Sequence, residues 1–299
     1  MTVLEAIQKS ADFLGKKNVE SPRLQVELLL AHLLKLPRMK LYLNFERVLT
    51  ATETDSLREL VKRRGQREPL QHITGSTSFC GYEIAVNRHA LVPRPETELL
   101  AELGWQFFNR EGRRVGDPNS GTATRHPSQD IPTALDFGTG TGCIAIALAA
   151  KCPGAKITAI DVSTDALALA KENAARNKVA ERIEFLQGDG FTAFAADSKF
   201  DLIMSNPPYI PTAEIETLQT EVRDFDPRAA LDGGADGLDF YRMLAAQAKQ
   251  FLKPDGKIML EFGDGQADAI KRIFENEKWI VEAVKEDYSQ RERILTAKI

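Results

Sequence analysis

The sequence predicts an α/β protein: a seven-stranded, mainly parallel sheet covered by helices, with a small helical bundle before it and a β-hairpin between the two. Three observations carry this reading. Over residues 1–75 apolar residues recur three and four apart with few glycines, around Gly75 the period drops to two, and from Pro132 onward strand-like and helix-like stretches alternate. At 299 residues the chain is long for a single core. Its domains read as a helical unit over 1–75, a hairpin linker over 76–95 and a sheet domain over 96–299.

Val3, Leu4, Ile7, Ala11 and Phe13-Leu14 mark the first helix. Ser21-Pro22 supplies an N-cap and a proline at the first helical position, after which Leu24, Val26, Leu28–Leu30, Leu33 and Leu34 run to Pro37. That second helix is apolar around most of its circumference, so it belongs at the centre of the bundle. A third spans Glu53 to Arg64, and Lys62-Arg63-Arg64 at its end complements the helix dipole or serves in binding. Thr77, Phe79, Tyr82, Ile84 and Val86 alternate about a Cys80-Gly81 turn, giving the hairpin. Pro93 and Pro95 fix an extended entry into a helix from Glu96. Residues 111–132, rich in Gly, Pro, Ser, Thr, Asn and Arg, read as a flexible surface loop.

The parallel strands fall at Ala134–Phe137, Lys156–Asp161, Ile183–Gln187, Asp201–Ser205 and Lys257–Phe262. Helices are expected at Cys143–Ala150, Thr164–Asn177, Phe240–Leu252 and Gln266–Glu275. Trp279–Val284 and Arg293–Ile299 complete the sheet as an antiparallel pair at its edge.

Composition narrows the function. No apolar run approaches the roughly 20 residues of a membrane span, and the N-terminus lacks the pattern of a secretory signal, so a cytoplasmic protein is expected. Cys80, Cys143 and Cys152 form no Cys-x-x-Cys, and His32, His72, His89 and His126 lack ligand spacing; neither a disulfide nor a metal is expected. The net charge of -4 argues against indiscriminate nucleic-acid binding. Residues 1–75 carry 13 Lys/Arg against 9 Asp/Glu and the remainder 26 against 34, a mildly basic head on an acidic body. That contrast fits either attraction of an acidic partner or an ordinary solvated helix surface. A monomer is the default.

Leu135-Asp136-Phe137-Gly138-Thr139-Gly140-Thr141-Gly142 is a strand running into alternate glycines and then a helix. Glycines permit a tight turn and close approach to a ligand at a helix N-terminus, although such a loop can also be a plain connection. The next strand ends in Asp161, placed to accept both ribose hydroxyls. The third ends in Asp189-Gly190, where Asp189 can accept from an adenine amino group. Gly-x-Gly-x-Gly departs from the Gly-x-Gly-x-x-Gly of dinucleotide enzymes, so the spacing favours S-adenosylmethionine over a nicotinamide cofactor.

The fourth strand runs into Asn206-Pro207-Pro208-Tyr209. Two prolines stiffen the backbone, so the Asn206 side chain and the Pro207 carbonyl can stand as a pair of acceptors for the two hydrogens of a planar –NH2, while Tyr209 offers a stacking face. An amide or aryl amine delocalises its lone pair. Rigid acceptors draw it toward tetrahedral geometry, and alignment with an activated methyl then suffices without a strong base.

Here the chain resembles the HemK-type release-factor glutamine methyltransferases. The resemblance rests on Glu68-Pro69-Leu70-Gln71-His72-Ile73-x-Gly75, the hairpin from Phe79, Val92-Pro93-Arg94-Pro95-Glu96-Thr97-Glu98, the glycine loop and Asn206–Tyr209. Asp226-Pro227-Arg228-Ala229-Ala230-Leu231, with Gly233-Gly234 and Asp236-Gly237-Leu238, is similar to a later loop of the same family. The Pro-Arg-Pro-Glu-Thr-Glu block discriminates, because Asn-Pro-Pro-Tyr is shared with adenine and guanine amino-methyltransferases.

The resemblance implies a Rossmann-like class I methyltransferase domain and a helical domain that docks class-1 peptide chain release factors. It implies methyl transfer to the N5 amide nitrogen of the glutamine in their Gly-Gly-Gln loop, with S-adenosyl-L-homocysteine as the product. Gly138, Thr139, Gly140, Thr141, Gly142, Asp161, Asp189 and Gly190 would hold the cofactor, and Asn206, Pro207, Pro208 and Tyr209 the glutamine amide, Asn206 lying close to both. Arg94, Thr97 and Glu98 border the pocket on the same reading, or brace the domain junction as ion pairs. Gly190 stands where relatives often carry a larger residue, with Phe191 as a substitute for stacking on adenine, and Asp226 replaces a usual glutamate. The alternatives are a nucleic-acid amino-methyltransferase acting on adenine N6 or guanine N2, and a dinucleotide oxidoreductase or binding module.

Overall fold

The computed structural model describes residues 1–110 and 131–299, with the Arg110 side chain left out. The loop read over 111–132 therefore lies outside the described residues except for its last two positions. The chain folds as two compact units, one of Met1–Ser76 with Leu218–Phe225, the other of Thr77–Thr217 with Asp226–Ile299.

In the first unit α1 (Val3–Lys16) and α4 (Ala51–Gly65) each begin with a capping box, Thr2 with Glu5 and Thr50 with Glu53. Between them lie α2 (Pro22–Leu34) and the short α3 (Arg38–Leu41), and α5 (Leu70–Thr74) follows. The core gathers Val3, Ile7 and Leu14 with Val26, Leu29, Leu30, Leu57 and Val61, so α2 sits centrally as its apolar circumference requires. Ser21 does not cap it. Its backbone is left-handed (φ 48°), not the extended conformation of an N-cap, and its hydroxyl makes no capping bond.

The basic triplet at the end of α4 does more than meet a dipole. Arg63 holds Glu68 through two hydrogen bonds of 2.8 and 2.6 Å, while Arg64 is buried and donates to Gln25 Oε1, the Glu68 carbonyl and Glu221 Oε1. Glu221 also takes a bidentate pair of bonds from Arg67 at 2.7 and 2.5 Å. Glu221 lies in the short helix Thr220–Arg223, and His72 meets Phe225 edge-on at 6.4 Å. A distant piece of sequence is thus built into the helical unit.

The second unit opens at Thr77 within the hairpin of β1 (Ser76–Phe79) and β2 (Tyr82–Ala85), turned at Cys80 and Gly81, both left-handed. After α6 (Pro95–Arg110) come β3 (Thr133–Phe137), α7 (Cys143–Lys151), β4 (Lys156–Asp161), α8 (Thr164–Arg176), β5 (Ile183–Gln187) and β6 (Phe200–Ser205). β7 (Leu252–Glu261), β8 (Ile280–Glu286) and β9 (Glu292–Lys298) complete a seven-stranded sheet of order β5-β4-β3-β6-β7-β9-β8. The first five strands are parallel and β9 pairs antiparallel with both neighbours, leaving β8 at the edge. The helix expected over 240–252 is shorter, Asp239–Gln247, because a 3-10 turn follows it and Leu252 already belongs to β7.

Strand residues alternate between two cores on opposite faces of the sheet. Leu202 and Met204 join α6, α7 and α8 on one face; Ile203 joins the helices Asp239–Gln247 and Ala267–Asn276 on the other. Gly104 in the middle of α6 is explained by this packing, since a Cβ there would stand 2.5 Å from Met204 Sδ. Ligands of such a sheet bind at the carboxyl ends of its strands, where β3, β4, β5 and β6 all run into the residues singled out above.

Candidate active site

The three glycines after β3 are all left-handed, with φ of 74°, 54° and 81° at Gly138, Gly140 and Gly142, a conformation costly for any side chain. Their surroundings differ. A Cβ on Gly138 would meet nothing within 4 Å, whereas one on Gly142 would stand 3.0 Å from Ala170 Cβ, where α7 and α8 pack. Gly138 therefore faces open space and Gly142 serves close packing. The loop is held from beneath by Asp136, fully buried, which accepts from Thr139 Oγ1 at 2.6 Å and Ala145 N at 3.1 Å. Burial pushes its carboxyl up to about 6 against these two bonds. Asp161 at the end of β4 accepts from Gly140 N (2.8 Å) and Ser163 N (2.9 Å), which fixes its carboxylate beside the loop. Asn173 of α8 ties the hairpin in, bonding Ala85 N and O and the Thr141 carbonyl.

Gly138, Thr139, Gly140, Thr141, Asp161, Asp189, Gly190, Asn206, Pro207 and Pro208 line one cavity of about 300 Å³. Its volume falls at the lower end of the ~300–1,000 Å³ typical of small-molecule sites. Arg94, Thr97, Pro227, Phe240 and Met243 also contribute to its wall, but Gly142, Glu98 and Tyr209 do not. Glu98 faces the hairpin turn, accepting from Cys80 N at 2.7 Å, so of the block around it only Arg94 and Thr97 border the cavity. Arg94 pairs with buried Asp226 at 2.6 Å. Phe191 cannot stack on a ligand: it is buried against Phe251 (4.8 Å, 10° between planes) and Phe137, in the apolar core. A Cβ on Gly190 would meet nothing within 4 Å, so that wall of the cavity is open.

The Asn206–Tyr209 turn is braced from behind. Gln266 Nε2 donates to the Tyr209 carbonyl at 2.9 Å while its Oε1 accepts from Gly263 N. Gly237 lies where a Cβ would stand 2.3 Å from the Tyr209 carbonyl oxygen, and one on Gly263 would stand 2.9 Å from the Tyr209 ring. Burial pushes the Tyr209 hydroxyl up to about 12, so it stays protonated near neutrality. Asn206 Nδ2 donates to Thr97 Oγ1 at 3.0 Å. Glu261, a carboxylate only 2% exposed, ends β7, and burial pushes its carboxyl up to about 7 against the pull of Thr97 and Asn206. Glu261 and Gln266 escaped the sequence reading; the one available signal was a lone acid inside the apolar run Met259-Leu260-Glu261-Phe262.

A mixed sheet of this order with a glycine-loop cavity at its carboxyl ends defines a class I methyltransferase. Residues 5–75 match the family model for the PrmC N-terminal domain and residues 124–222 that for the methyltransferase small domain. The release factor glutamine methyltransferase of Geobacter sulfurreducens is 42% identical over 91% of this chain and 88% of its own length. The chain belongs to the release factor glutamine methyltransferase family. The enzyme of that name from Chlorobaculum tepidum is also 42% identical, over 89% of this chain and 87% of its own. A bifunctional methyltransferase of Rickettsia conorii is 34% identical over 98% of this chain, which spans 57% of that longer protein. Among solved structures, a methyltransferase from Pyrococcus furiosus shares the fold at 18% identity (TM-score 0.50, 79% of this chain and 98% of that one).

Gly138→Ala tests whether the loop takes part in cofactor binding. The added methyl enters the cavity, and the strain of φ 74° costs about 1–2 kcal/mol of stability. Calorimetry is expected to show donor affinity at least about tenfold weaker, equivalent to ~1.4 kcal/mol, in a protein that still unfolds cooperatively.

Proposed function

We propose that this protein transfers a methyl group from S-adenosylmethionine to the side-chain amide nitrogen of the glutamine in the Gly-Gly-Gln loop of class-1 peptide chain release factors, in the cytoplasm. The observation that carries the proposal is Asn206, set at the end of β6 in the wall of the glycine-loop cavity with its amide nitrogen committed to Thr97. That commitment leaves Asn206 Oδ1 as an acceptor beside the Pro207 carbonyl, one for each hydrogen of the target amide. The name and length of the matching relatives support a protein glutamine as that amide.

The cavity fits the cofactor. Gly138 presents bare backbone to it, the Asp161 carboxylate held beside the loop would take the ribose hydroxyls, and Asp189 follows the end of β5 in the cavity wall. When bound, the cofactor supplies a methyl already activated on a sulfonium. The protein's residues then align: Asn206 Oδ1 and the Pro207 carbonyl hold the amide hydrogens, turn the nitrogen lone pair toward the methyl and keep the group from rotating. Residues 5–75 dock the folded release factor.

Incubation with labelled S-adenosylmethionine and, separately, a release factor, its Gln-to-Ala loop variant, bulk RNA and bulk DNA tests this. Label is expected in the first alone. Label in RNA or DNA with none in the release factor would establish a base amino-methyltransferase instead.

A further inference from the structure

Arg94 makes one side-chain hydrogen bond among the described residues, from Nη2 to Asp226 Oδ2 at 2.6 Å. A guanidinium carries five N–H donors and no acceptor, so most of its donors are left for another partner. The Arg94 side chain is 35% exposed and lines the cavity, whereas that of Asp226 is 1% exposed and its Oδ1 accepts from Val92 N at 3.4 Å. Both oxygens of the buried acid are thus engaged, and the acid in turn anchors one end of the guanidinium.

Arg94 also belongs to the reactive end of the cavity. Its backbone carbonyl accepts from Thr97 N at 3.1 Å, and Thr97 Oγ1 accepts from Asn206 Nδ2 at 3.0 Å. Two hydrogen bonds therefore connect it to the residue read as holding the target amide. Pro227, Ala229 and Ala230, which follow Asp226 in sequence, line the same cavity and carry no polar side-chain group. Arg94 is what that stretch of wall offers a polar ligand.

We propose that Arg94 binds the peptide substrate, donating from its unengaged N–H groups to backbone carbonyl oxygens of the glycines before the target glutamine. This rests on the reading that the cavity takes a Gly-Gly-Gln loop. Glycine has no side chain to grip, so recognition of that sequence falls to main-chain groups, whose carbonyls need donors. Arg94 supplies donors alone, in a rigid planar fork that can meet two acceptors at once. Asp226 already balances its charge, so the pair can serve neutral carbonyls and draws an anion less strongly than an unpaired cation would.

The test uses the full-length protein, a short peptide carrying the Gly-Gly-Gln loop, and the same peptide with its Gly-Gln amide replaced by an ester, whose carbonyl is the weaker acceptor. Arg94→Lys keeps the charge and loses the fork. Arg94→Gln combined with Asp226→Asn removes both charges, so no buried acid is stranded, and it carries the comparison if Arg94→Lys fails to fold. In either variant KM for the amide peptide is expected to rise about 10–100-fold, the scale of a hydrogen bond from a charged donor, with a much smaller fall in kcat. Calorimetry should find S-adenosylmethionine affinity within about threefold of wild type, too little to count as a lost hydrogen bond. The ester should raise KM for the wild type and add little in the variants, because each change removes the same bond.

A bracing role alone would penalise amide and ester peptides by the same factor, so losses that multiply would overturn the inference. An unchanged KM would overturn it too. S-adenosylmethionine affinity that collapses while peptide KM holds would place Arg94 on the carboxylate of the methyl donor instead. A wild type that methylates neither the peptide nor a release factor would remove the functional reading and this inference together, whereas wild-type transfer with unaltered KM in both variants would remove the inference alone.

Discussion

Asn206→Ala is expected to lower kcat by about 10²–10³-fold or more, the scale of removing one preorganised polar group from a reacting centre, while donor affinity changes by less than about threefold. The reason is spatial division of labour. On the proposed reading cofactor recognition belongs to Gly138, Gly140 and Asp161, whose positions are set by the Ile160 carbonyl, Asp136 and the start of α8, none of which depends on the Asn206 side chain. Alanine removes only the acceptor that meets one amide hydrogen, and the target nitrogen is left free to rotate with its lone pair delocalised. Stopped-flow or quench measurement of a single turnover, alongside calorimetry for the donor, separates the two terms. A single-turnover rate unchanged from wild type would show that the acceptor pair does not drive transfer; equal losses in rate and donor affinity would move Asn206 into the cofactor site.

The second large effect is expected in stability, at Glu221→Ala. Glu221 is the shared partner of Arg64 and Arg67, with side-chain exposures of 15%, 6% and 24%. Removing it strands the buried Arg64 guanidinium, which keeps only Gln25 and the Glu68 carbonyl. Leaving a buried charge without its counter-ion costs about 3–5 kcal/mol, and partial exposure of Arg67 sets the expectation at the lower end, about 3. Arg67→Ala, which leaves the Arg64 bond intact, should cost clearly less.

The pH dependence of this cluster has a definite sign. Burial raises the Glu221 carboxyl and the bonds from Arg67 and Arg64 lower it, with a net result below its ordinary 4.5. Its stabilisation is therefore present above the unfolded-state value and is lost as pH falls through the folded one. Denaturant unfolding at pH 7 and at pH well below 4.5 should show the wild type and Glu221→Ala converging at the lower pH. A gap that holds constant into acid would mean the effect is packing and not charge.

This cluster also bears on how a docking assay is built. Deleting residues 1–75 removes Arg64, Arg67 and His72 and strands Leu218–Phe225, which belongs to the same unit. Surface substitutions in the helical unit that leave Glu221 paired are the cleaner way to ask whether KM rises more for whole release factor than for a short loop peptide.

The sheet was legible because parallel strands buried on both faces read as short apolar runs with polar ends, at Asp161, Gln187 and Asn206. The cavity-lining residues were legible for the same reason: strand ends converge, so residues far apart in sequence must meet there. What escaped was whatever depends on long-range pairing. Glu261 looks like a flaw in an apolar strand until Thr97 and Asn206 are seen beside it. Arg64 looks like dipole chemistry until Glu221, more than 150 residues away, is found against it. Phe191 seemed a substitute for stacking because its neighbour in sequence lines the cavity, but the chain turns at Gly190 (φ 67°) and sends the ring into the core. Ser21 has the composition of a cap without the backbone angles, which composition does not encode.

The central claim is that the methyl goes to one side-chain amide. Fragmentation mass spectrometry of a release factor incubated with this protein and S-adenosylmethionine tests it most directly. The expected result is one added methyl, on the side chain of the Gly-Gly-Gln glutamine, absent when Asn206→Ala replaces the wild type. A methyl on any other residue, or an unmodified release factor beside methylated nucleic acid, would contradict the account.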